Sequence, residues 1–534
     1  MNIAQQKTKM PSLPCEKTDW PSLFSAKVNL ALGLVSAFLV ALFGLVFILK
    51  PENLFADDSY FYLQVAWNIA RGMGSTFNNV IPTNGYHPLY MLLCVAVFKV
   101  FPERMVAIHA VAAVNVLLDA LMLVEVRRIL LRTGGDLWPI ALVLLVPFSF
   151  LTQLGTEGAL SGFLLALMML CAYELVQRPD GRKALLYNLV AALAVLTRLD
   201  SIFIVAFLWV SVTVVLWRAG RRSLQFATMP IYIVLWGTYL ASNRIYFHLW
   251  QPITGVLKSN SRDAHSLGAN LPHIAFAAFA VIVVCGVGLA LTKRDRFFTV
   301  IEIPFAAGVV CHGLYIIFRL SSETRWTWYY TSWVLLAAVM SARFCSVLLE
   351  RRRWLAAPLG ALCVLLLAFL WVRISYMHDY KRPSAIPVLR AFRDEVEIKN
   401  GIHRAVTYDQ PGRLAFYSNV QLFPLDGLMG DTKFQTDLAS MGIEKFVRAN
   451  HIDAFVGPET PLAPYDYGQM CNKIYLSSVS FDCVPVPGEP GHLEIKGVSV
   501  YSRVPAAYAG TLQLPKSQLV WATKDYVSVW RLTQ

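Results

Sequence analysis

The first 375 residues alternate between long apolar runs and short polar segments. The apolar runs recur at about 28–49, 105–126, 137–153, 158–177, 184–197, 201–217, 225–245, 273–292, 298–318, 328–348 and 355–375. A helix that crosses the hydrocarbon core of a bilayer needs about 20 apolar residues. The pattern therefore predicts a polytopic α-helical membrane protein with about 11 transmembrane helices.

One apolar segment does not fit this count. The segment from His87 to Phe101 has 15 residues and begins with a His-Pro pair. If it crossed the membrane, every later basic loop would change sides. We therefore predict an interfacial or re-entrant helix inside a large first external loop, about 51–104. A count of twelve spans is the rival interpretation.

The chain changes character at its two ends. After about residue 376 it gains prolines and alternating stretches such as 492–504, which predict strands, while 387–396 reads as a helix. We predict an α/β domain over 376–534. Residues 1–27 are polar, and the apolar run after them is long enough to span, so they predict a cytoplasmic tail before a retained first helix.

Composition and charge set the class and the orientation. The chain has 534 residues, 56% of them hydrophobic and 15% charged, with a mean hydropathy of +0.51, which excludes an ordinary soluble protein. A net charge of +13 would suit a nucleic-acid partner, but the basic residues fall in alternate short loops, as the positive-inside rule expects.

The basic clusters between the apolar runs indicate the orientation of the chain. They are Arg127, Arg128 and Arg132; Arg178, Arg182 and Lys183; Arg218, Arg221 and Arg222; Lys293, Arg294 and Arg296; and Arg351 to Arg353. They predict a multi-pass protein of the cytoplasmic (inner) membrane, with the N-terminus inside, the C-terminal domain outside and no nucleic-acid partner.

The nine cysteines show no metal-ligand spacing. Cys471 and Cys483 lie in the polar C-terminal part, and a disulfide between them is possible if that part faces an oxidising space.

Acidic residues mark the predicted outer surface. Asp57 and Asp58 follow the first apolar run, where two carboxylates are costly without a function, and either could act as a general base. The alternative is that one of them caps the following helix, as Asp commonly does. Glu157 lies on the same predicted surface and would orient an acceptor or tune the base, unless it belongs to another helix N-terminus.

Cations on the same surface are unexpected under the positive-inside rule and suggest an anionic partner. A lipid phosphate is a natural one, and the candidate phosphate-binding residues are Lys258, Arg198, Arg262 and Arg325. The alternatives are pairing with Asp200 or Asp263, or snorkelling to the surface. Aromatic residues nearby fit an interfacial belt, and they would also suit a sugar ring.

The order of these features resembles the GT-C superfamily of membrane glycosyltransferases, including its protein mannosyltransferase and aminoarabinose transferase branches. The resemblance covers about residues 28–375. It is carried by Asp57 and Asp58 with the stretch 68–74 in the first external loop, by 84–89 (NGYHPL), and by Glu157 and the stretch 251–258 (QPITGVLK) in later loops.

This resemblance implies transfer of a sugar from a polyprenyl-phosphate-linked donor to an envelope glycan, lipid or protein at the outer face, usually with inversion. Asp57 or Asp58 would deprotonate the acceptor, and Lys258 with the arginines would hold the departing phosphate. Glu157 would match the second acid of the family, although it stands in GTEG and not in a clear Asp-containing motif. The candidate substrate-binding residues are Tyr60, Tyr62, Asn84, His87, Trp326, Tyr329 and Tyr330. The resemblance identifies no particular cofactor, and a divalent metal is possible because some members of the family use one and others do not.

Two other functions remain open. A transporter or flippase for lipid-linked glycans would place ionisable residues through the bilayer midplane, whereas most charges here lie at the outer boundary or in the basic loops. A non-catalytic protein of envelope assembly would bind a glycan or a partner through its external domain.

Overall fold

The computed structural model describes most of the helical part and fragments of the C-terminal part. The described residues are 34, 38, 41–42, 44–133, 137–152, 155–258, 273–292, 295–320, 327–355, 358, 361–362, 365, 385–407, 411–424, 427–457, 475–476, 479–485, 493–499, 512–513, 517–522 and 528–532.

Helices dominate the chain up to residue 355. In chain order they are α1 (Pro51–Leu54), α2 (Asp57–Ala70), α3 (Pro88–Val100), α4 (Arg104–Arg132), α5 (Trp138–Thr152), α6 (Gly158–Gln177), α7 (Gly181–Thr197), α8 (Ile202–Arg218), α9 (Arg222–Ala227), α10 (Pro230–Phe247), α11 (Ile253–Lys258), α12 (His273–Thr292), α13 (Ile303–Arg319) and α14 (Thr331–Arg351). Short 3-10 turns precede α8 and α14, and the π-helical turn Phe298–Glu302 precedes α13.

Within the described residues, seven helical segments are long and apolar enough to cross a membrane. They are Arg104–Arg132, Gly158–Gln177, Leu199–Arg218, Arg222–Phe247, Ala275–Thr292, Phe298–Arg319 and Thr327–Arg351. Large apolar side chains on them face outward, as lipid-facing side chains do; Leu291 is 79% exposed and Ile233 is 69% exposed. The chain is a multi-pass membrane protein.

The predicted count of about 11 spans is not confirmed. The predicted spans at 137–153 and 184–197 form α5 and α7, which have 15 and 17 residues. At about 1.5 Å per residue, both are shorter than the roughly 30 Å hydrocarbon core. The predicted spans at 28–49 and 355–375 lie largely outside the described residues.

The segment that does not fit the count forms α3, a helix of 13 residues. Its length is about 20 Å, which is too short to cross the hydrocarbon core. Tyr90 of α3 is fully buried, and its hydroxyl donates a 2.6 Å hydrogen bond to the Gly155 carbonyl oxygen. This bond joins the first loop to the turn before α6, where Glu157 lies.

The C-terminal part contains the predicted mixture of helices and strands. The helices are α15 (Ala385–Phe392), which continues as the π-helical segment Arg393–Lys399, α16 (Pro411–Tyr417) and α17 (Thr432–Ala449). The strands are β1 (Arg404–Thr407), β2 (Gln421–Pro424), β3 (Ala454–Gly457), β4 (Tyr475–Leu476), β5 (Val479–Pro485), β6 (Leu493–Ser499), β7 (Leu512–Gln513), β8 (Ser517–Ala522) and β9 (Ser528–Leu532). The helix predicted at 387–396 and a strand within 492–504 are both present.

Two sheets organise these strands. In the first sheet the order is β2-β1-β3-β9-β8, with β1 parallel to β2 and β3, and with β9 antiparallel to its neighbours. The second sheet is antiparallel, in the order β4-β5-β6-β7. Helix α16 follows β1 and therefore starts at the carboxyl end of a parallel strand. The proposed disulfide involves Cys471, which lies outside the described residues.

Candidate active site

A cavity of about 150 Å³ opens beside the first turn of α2. Its wall comes from α2, the turn before α3, the turns that precede α6 and α8, and helix α11. The cavity is lined by seven of the candidate site residues that the sequence analysis identified, namely Asp58, Tyr62, His87, Glu157, Arg198, Lys258 and Tyr329. We call this space the first cavity.

Asp58 is the acid of the pair that faces the first cavity. Desolvation by the surrounding protein raises the pKa of its carboxyl group, Lys258 acts to lower it, and Glu157 acts to raise it. A carboxylate with a raised pKa holds a proton more strongly than an ordinary Asp, so it is a better general base. Asp58, Lys258 and Glu157 all line this one cavity.

Arg198 connects two acids on the far wall of the cavity. Its Nη1 donates to Glu157 Oε1 at 2.7 Å, and its Nη2 and Nε donate to the two carboxylate oxygens of Asp200 at 2.7 and 3.1 Å. His312 Nε2 lies 3.0 Å from Asp200 Oδ2. The Arg198 guanidinium also lies 4.4 Å from the ring centroid of Tyr329. Arg198 therefore pairs with Asp200, which was the alternative to phosphate binding for this residue.

His87 lies on the same wall, with its Nε2 3.8 Å from Glu157 Oε1. Burial lowers the pKa of this imidazole, while Glu157 opposes that shift. A His with a lowered pKa is mostly neutral at neutral pH, so it can donate or accept a hydrogen bond there without adding a charge.

Asp57 has a different environment from its neighbour. Its carboxylate accepts hydrogen bonds from the backbone N–H groups of Gly412 at 3.0 Å and Arg413 at 2.9 Å, in the first turn of α16. Desolvation raises the pKa of Asp57 to about 7, although these two bonds and the Arg413 charge act to lower it. The alternative interpretation of the acid pair was that one of the two residues caps α2, but the N-cap residue is Ala56 and no side-chain hydrogen bond caps the helix. Asp57 instead binds the start of a helix in the C-terminal part.

Two glycines allow the C-terminal part to approach this closely. A Cβ on Gly412 would lie 2.5 Å from the Asp57 carbonyl oxygen and 2.9 Å from its Oδ2. A Cβ on Gly85, beside His87, would collide with the Leu428 carbonyl oxygen. Leu428 and Met429 also line the first cavity. Segments more than 300 residues apart therefore build one wall.

Three other predicted site residues hold the scaffold and do not line the cavity. Tyr60 is buried and packs against Phe416 and Tyr417, with ring centroids 5.5 and 5.8 Å away. Tyr330 is buried with its ring 6.3 Å from that of Trp333.

Asn84 is the third of these residues. Its Oδ1 accepts a 3.0 Å hydrogen bond from the backbone N–H of Ile253, the first residue of α11. Because Lys258 lies on α11, Asn84 fixes the helix that carries this lysine.

The last three predicted residues, Arg262, Arg325 and Trp326, lie outside the described residues.

The sequence interpretation missed several residues of the cavity. His312, in the middle of α13, does not line the cavity but contacts its wall residue Asp200, and its only signal in the sequence was a single imidazole in an apolar run. Leu428 and Met429 gave none, because they reach the cavity only through the folding of the C-terminal part.

The acids of the cavity do not form a metal site in the described part of the chain. No group of three or more His, Cys, Asp and Glu side chains is arranged there to hold an ion. Arg198 lies between Glu157 and Asp200 and brings the positive charge that a divalent ion would bring. The residues that are described do not fit a bound metal.

No family model matches this chain, and no curated protein matches it. Among solved structures, the chain is similar to the single-particle cryo-EM structure of the arabinofuranosyltransferase AftD from Mycobacteria, with 11% sequence identity and a TM-score of 0.48. The similarity covers 93% of this chain and 40% of that one, so the chain spans about two fifths of the length of AftD. At this identity and score, the roles of the residues rest on their own geometry.

Proposed function

We propose that this protein is a glycosyltransferase that moves a sugar from a polyprenyl-phosphate-linked donor to an acceptor at the outer face of the cytoplasmic membrane. The observation that carries the proposal is the placement of Asp58 and Lys258 in one cavity of a multi-pass membrane protein. A transfer of this kind needs a base for the acceptor and a cation for the leaving phosphate, and these two residues supply both.

In the proposed reaction, the acceptor hydroxyl attacks the anomeric carbon of the donor sugar. Its proton passes to the Asp58 carboxylate. The bond between the anomeric carbon and the phosphate oxygen breaks, and the electron pair stays on the phosphate. Lys258 stabilises this charge. A single displacement inverts the configuration at the anomeric carbon.

Glu157 tunes the base in this scheme. Its negative charge is one cause of the raised pKa of Asp58, and Arg198 holds its carboxylate in place. Because Arg198 is bound by two acids, Lys258 is the main phosphate ligand in the proposal. Arg262 and Arg325 keep their predicted role as further phosphate ligands.

The sugar itself would lie against Tyr62, His87 and Tyr329, which line the cavity. Aromatic faces pack against sugar rings, and the imidazole offers a hydrogen bond to a sugar hydroxyl. The acceptor is an envelope glycan, a lipid or a protein.

The proposal is tested in a strain that lacks this protein. Mass spectrometry of its envelope glycans, lipids and proteins is compared before and after complementation with the wild type or with Asp58→Asn. We expect a sugar to be missing from one class of molecule, to return with the wild type and to stay missing with Asp58→Asn. The identity of that molecule would name the acceptor.

Complementation with Asp394→Asn is the matched control, because Asp394 is an exposed acid that pairs with Arg393 and does not line the cavity. Full restoration by Asp58→Asn at equal protein abundance would overturn the role of Asp58 as the base. That outcome would fit a transporter or an assembly protein, because neither needs the Asp58 carboxylate as a base.

A further inference from the structure

A second cavity of about 220 Å³ lies at the other end of α2. Its wall comes from the last turns of α2, the loop that follows, the start of α4 and the segment 415–421 of the C-terminal part. Asp58 and Trp67 mark the two cavities on α2, and nine residues at 1.5 Å place them roughly 14 Å apart along the helix axis. Both cavities use residues of α2, but no described residue lines both of them.

The second cavity carries positive charge that no acid on its wall balances. The guanidinium groups of Arg71 and Arg104 lie 4.3 and 3.7 Å from the ring centroid of Trp67. Arg104 Nη1 donates to the carbonyl oxygens of Phe416 and Ser418 at 2.7 and 2.9 Å. No Asp or Glu is among the described residues that line the cavity. Glu397 interacts electrostatically with Arg104 but does not line the cavity. Two guanidinium groups in a concave wall without a lining carboxylate favour a ligand that carries an oxyanion.

Amide side chains make up much of the remaining wall. They are Gln64, Asn78, Asn79, Asn419 and Gln421. Four of them are held in place by hydrogen bonds. Gln64 donates to the Phe77 carbonyl oxygen, and Asn78 donates to that of Leu422. Asn419 donates to Glu397, and Gln421 accepts from Arg404. An amide offers both donors and acceptors, as the hydroxyl groups of a sugar require.

Unsatisfied polar atoms also point to a ligand. Gln64 is 5% exposed, and its Oε1 has no hydrogen-bond partner in the described part of the chain. The Nε of Arg104 also lacks one there. Buried polar atoms are usually satisfied, because an unpaired one costs about 1–3 kcal/mol.

We propose that the second cavity is a binding site for an acidic saccharide. The two arginines would hold the carboxylate or phosphate group of the ligand, and the amides would bind its hydroxyl groups. The site goes beyond the proposed transfer reaction, because it lies outside the first cavity and its occupancy can be measured without turnover.

The test uses the full chain in lipid nanodiscs and measures binding by calorimetry. The probes are trigalacturonic acid, the neutral trisaccharide maltotriose and inorganic phosphate. We expect trigalacturonic acid to bind more tightly than either of the others. Arg71→Gln should weaken this binding about tenfold, since a hydrogen bond to a charged group contributes about that factor. Arg71 is exposed, so this variant should fold.

A second variant and a control separate the site from general charge effects. Gln64→Leu removes a buried amide from the wall and should also weaken binding of the acid trisaccharide. Arg393→Gln removes an exposed arginine that does not line the cavity, and it should leave binding unchanged. The proposal is overturned if no acidic saccharide binds, if maltotriose or phosphate binds as tightly, or if Arg71→Gln and Arg393→Gln behave alike. None of these outcomes depends on Asp58 or on sugar transfer.

Discussion

The carboxylate of Asp57 accepts a hydrogen bond from the backbone N–H of Arg413 at 2.9 Å, although 356 residues separate the two in sequence. The next residue, Asp58, faces the first cavity. Adjacent acids at the start of one helix therefore have different surroundings. Asp57 joins the first loop to the C-terminal part, and this contact holds the backbone from which Asp58 projects.

The Asp57 contact depends on the absence of a side chain at residue 412. In Gly412→Ala the new Cβ would be too close to the Asp57 backbone and carboxylate, so α16 would have to shift and the two hydrogen bonds would lengthen. We expect a loss of about 1–3 kcal/mol in the free energy of unfolding and faster proteolysis of the C-terminal part. Gly237→Ala is the control, because a Cβ there meets no atom within 4 Å. Equal stability of the two variants would contradict the importance of the contact.

The pH dependence of stability should also report on Asp57. Its pKa is raised from 3.8 to about 7 in the folded protein, so the folded state binds the proton more tightly than the unfolded state. The contribution of Asp57 to the free energy of unfolding is fully present below pH 3.8, and it is lost as the pH rises to about 7. Thermal unfolding of the wild type and of Asp57→Asn should be compared over this range. The wild type should lose stability relative to the variant as the pH rises, and parallel curves would rule out the shift.

Removal of Arg198 should leave two carboxylates of the cavity wall without their shared partner. Both side chains of the Arg198 and Glu157 pair are 4% exposed. We expect Arg198→Gln to lower the free energy of unfolding by about 3–5 kcal/mol, as the loss of one partner of a buried ion pair does. Arg128→Gln is the control, since Arg128 pairs with Glu125 while 56% of its own side chain is exposed, and it should cost about 0–1 kcal/mol. Unfolding in denaturant measures both values.

Adding Glu157→Gln to Arg198→Gln should recover part of the lost free energy of unfolding, because it removes one of the two carboxylates that Arg198→Gln leaves without their shared arginine. If the double variant is less stable than Arg198→Gln by the full cost of Glu157→Gln alone, the two residues are not coupled.

Lys258 should matter to the transfer step more than to the fold. We expect Lys258→Gln to reduce kcat/KM for the lipid-linked donor about 10²–10³-fold, because the leaving phosphate loses a cation. Lys258→Arg should restore part of the activity, and Lys99→Gln, which removes an exposed cation from α3, should have little effect. The assay is transfer of radiolabelled sugar in membranes. If Lys258→Gln retains the activity of Lys99→Gln, the lysine does not hold the phosphate.

Much of the site follows from features that the sequence displays directly. The apolar runs locate the helices, and the positions of polar residues between them indicate which turns meet. Asp58, Glu157 and Lys258 lie in three such turns or beside them, and the structure brings them to one cavity. The strand within 492–504 follows from its alternation, because successive side chains of a strand point to opposite faces.

Other features need tertiary contacts that no local pattern reveals. The Asp57 contact requires α16 to dock on α2, and the sequence between them gives no sign of that docking. The span count depends on helix lengths, and α5 and α7 have 15 and 17 residues, fewer than the roughly 20 that a straight span needs. His312 contacts Asp200 of the cavity wall only because α13 packs beside the turn that holds this acid.

Gly85 of the first loop lies so close to the Leu428 carbonyl oxygen that a side chain at residue 85 would collide with it. This contact between distant parts of the chain affects when the first cavity can form during biosynthesis. The first loop is made early, but its cavity receives Leu428 and Met429 only after more than 300 further residues have been synthesised. A chain that stops before α16 would insert its helices and still lack one wall and the partner of Asp57. Premature termination before this point should therefore yield a membrane-inserted product that lacks the activity proposed for the cavity.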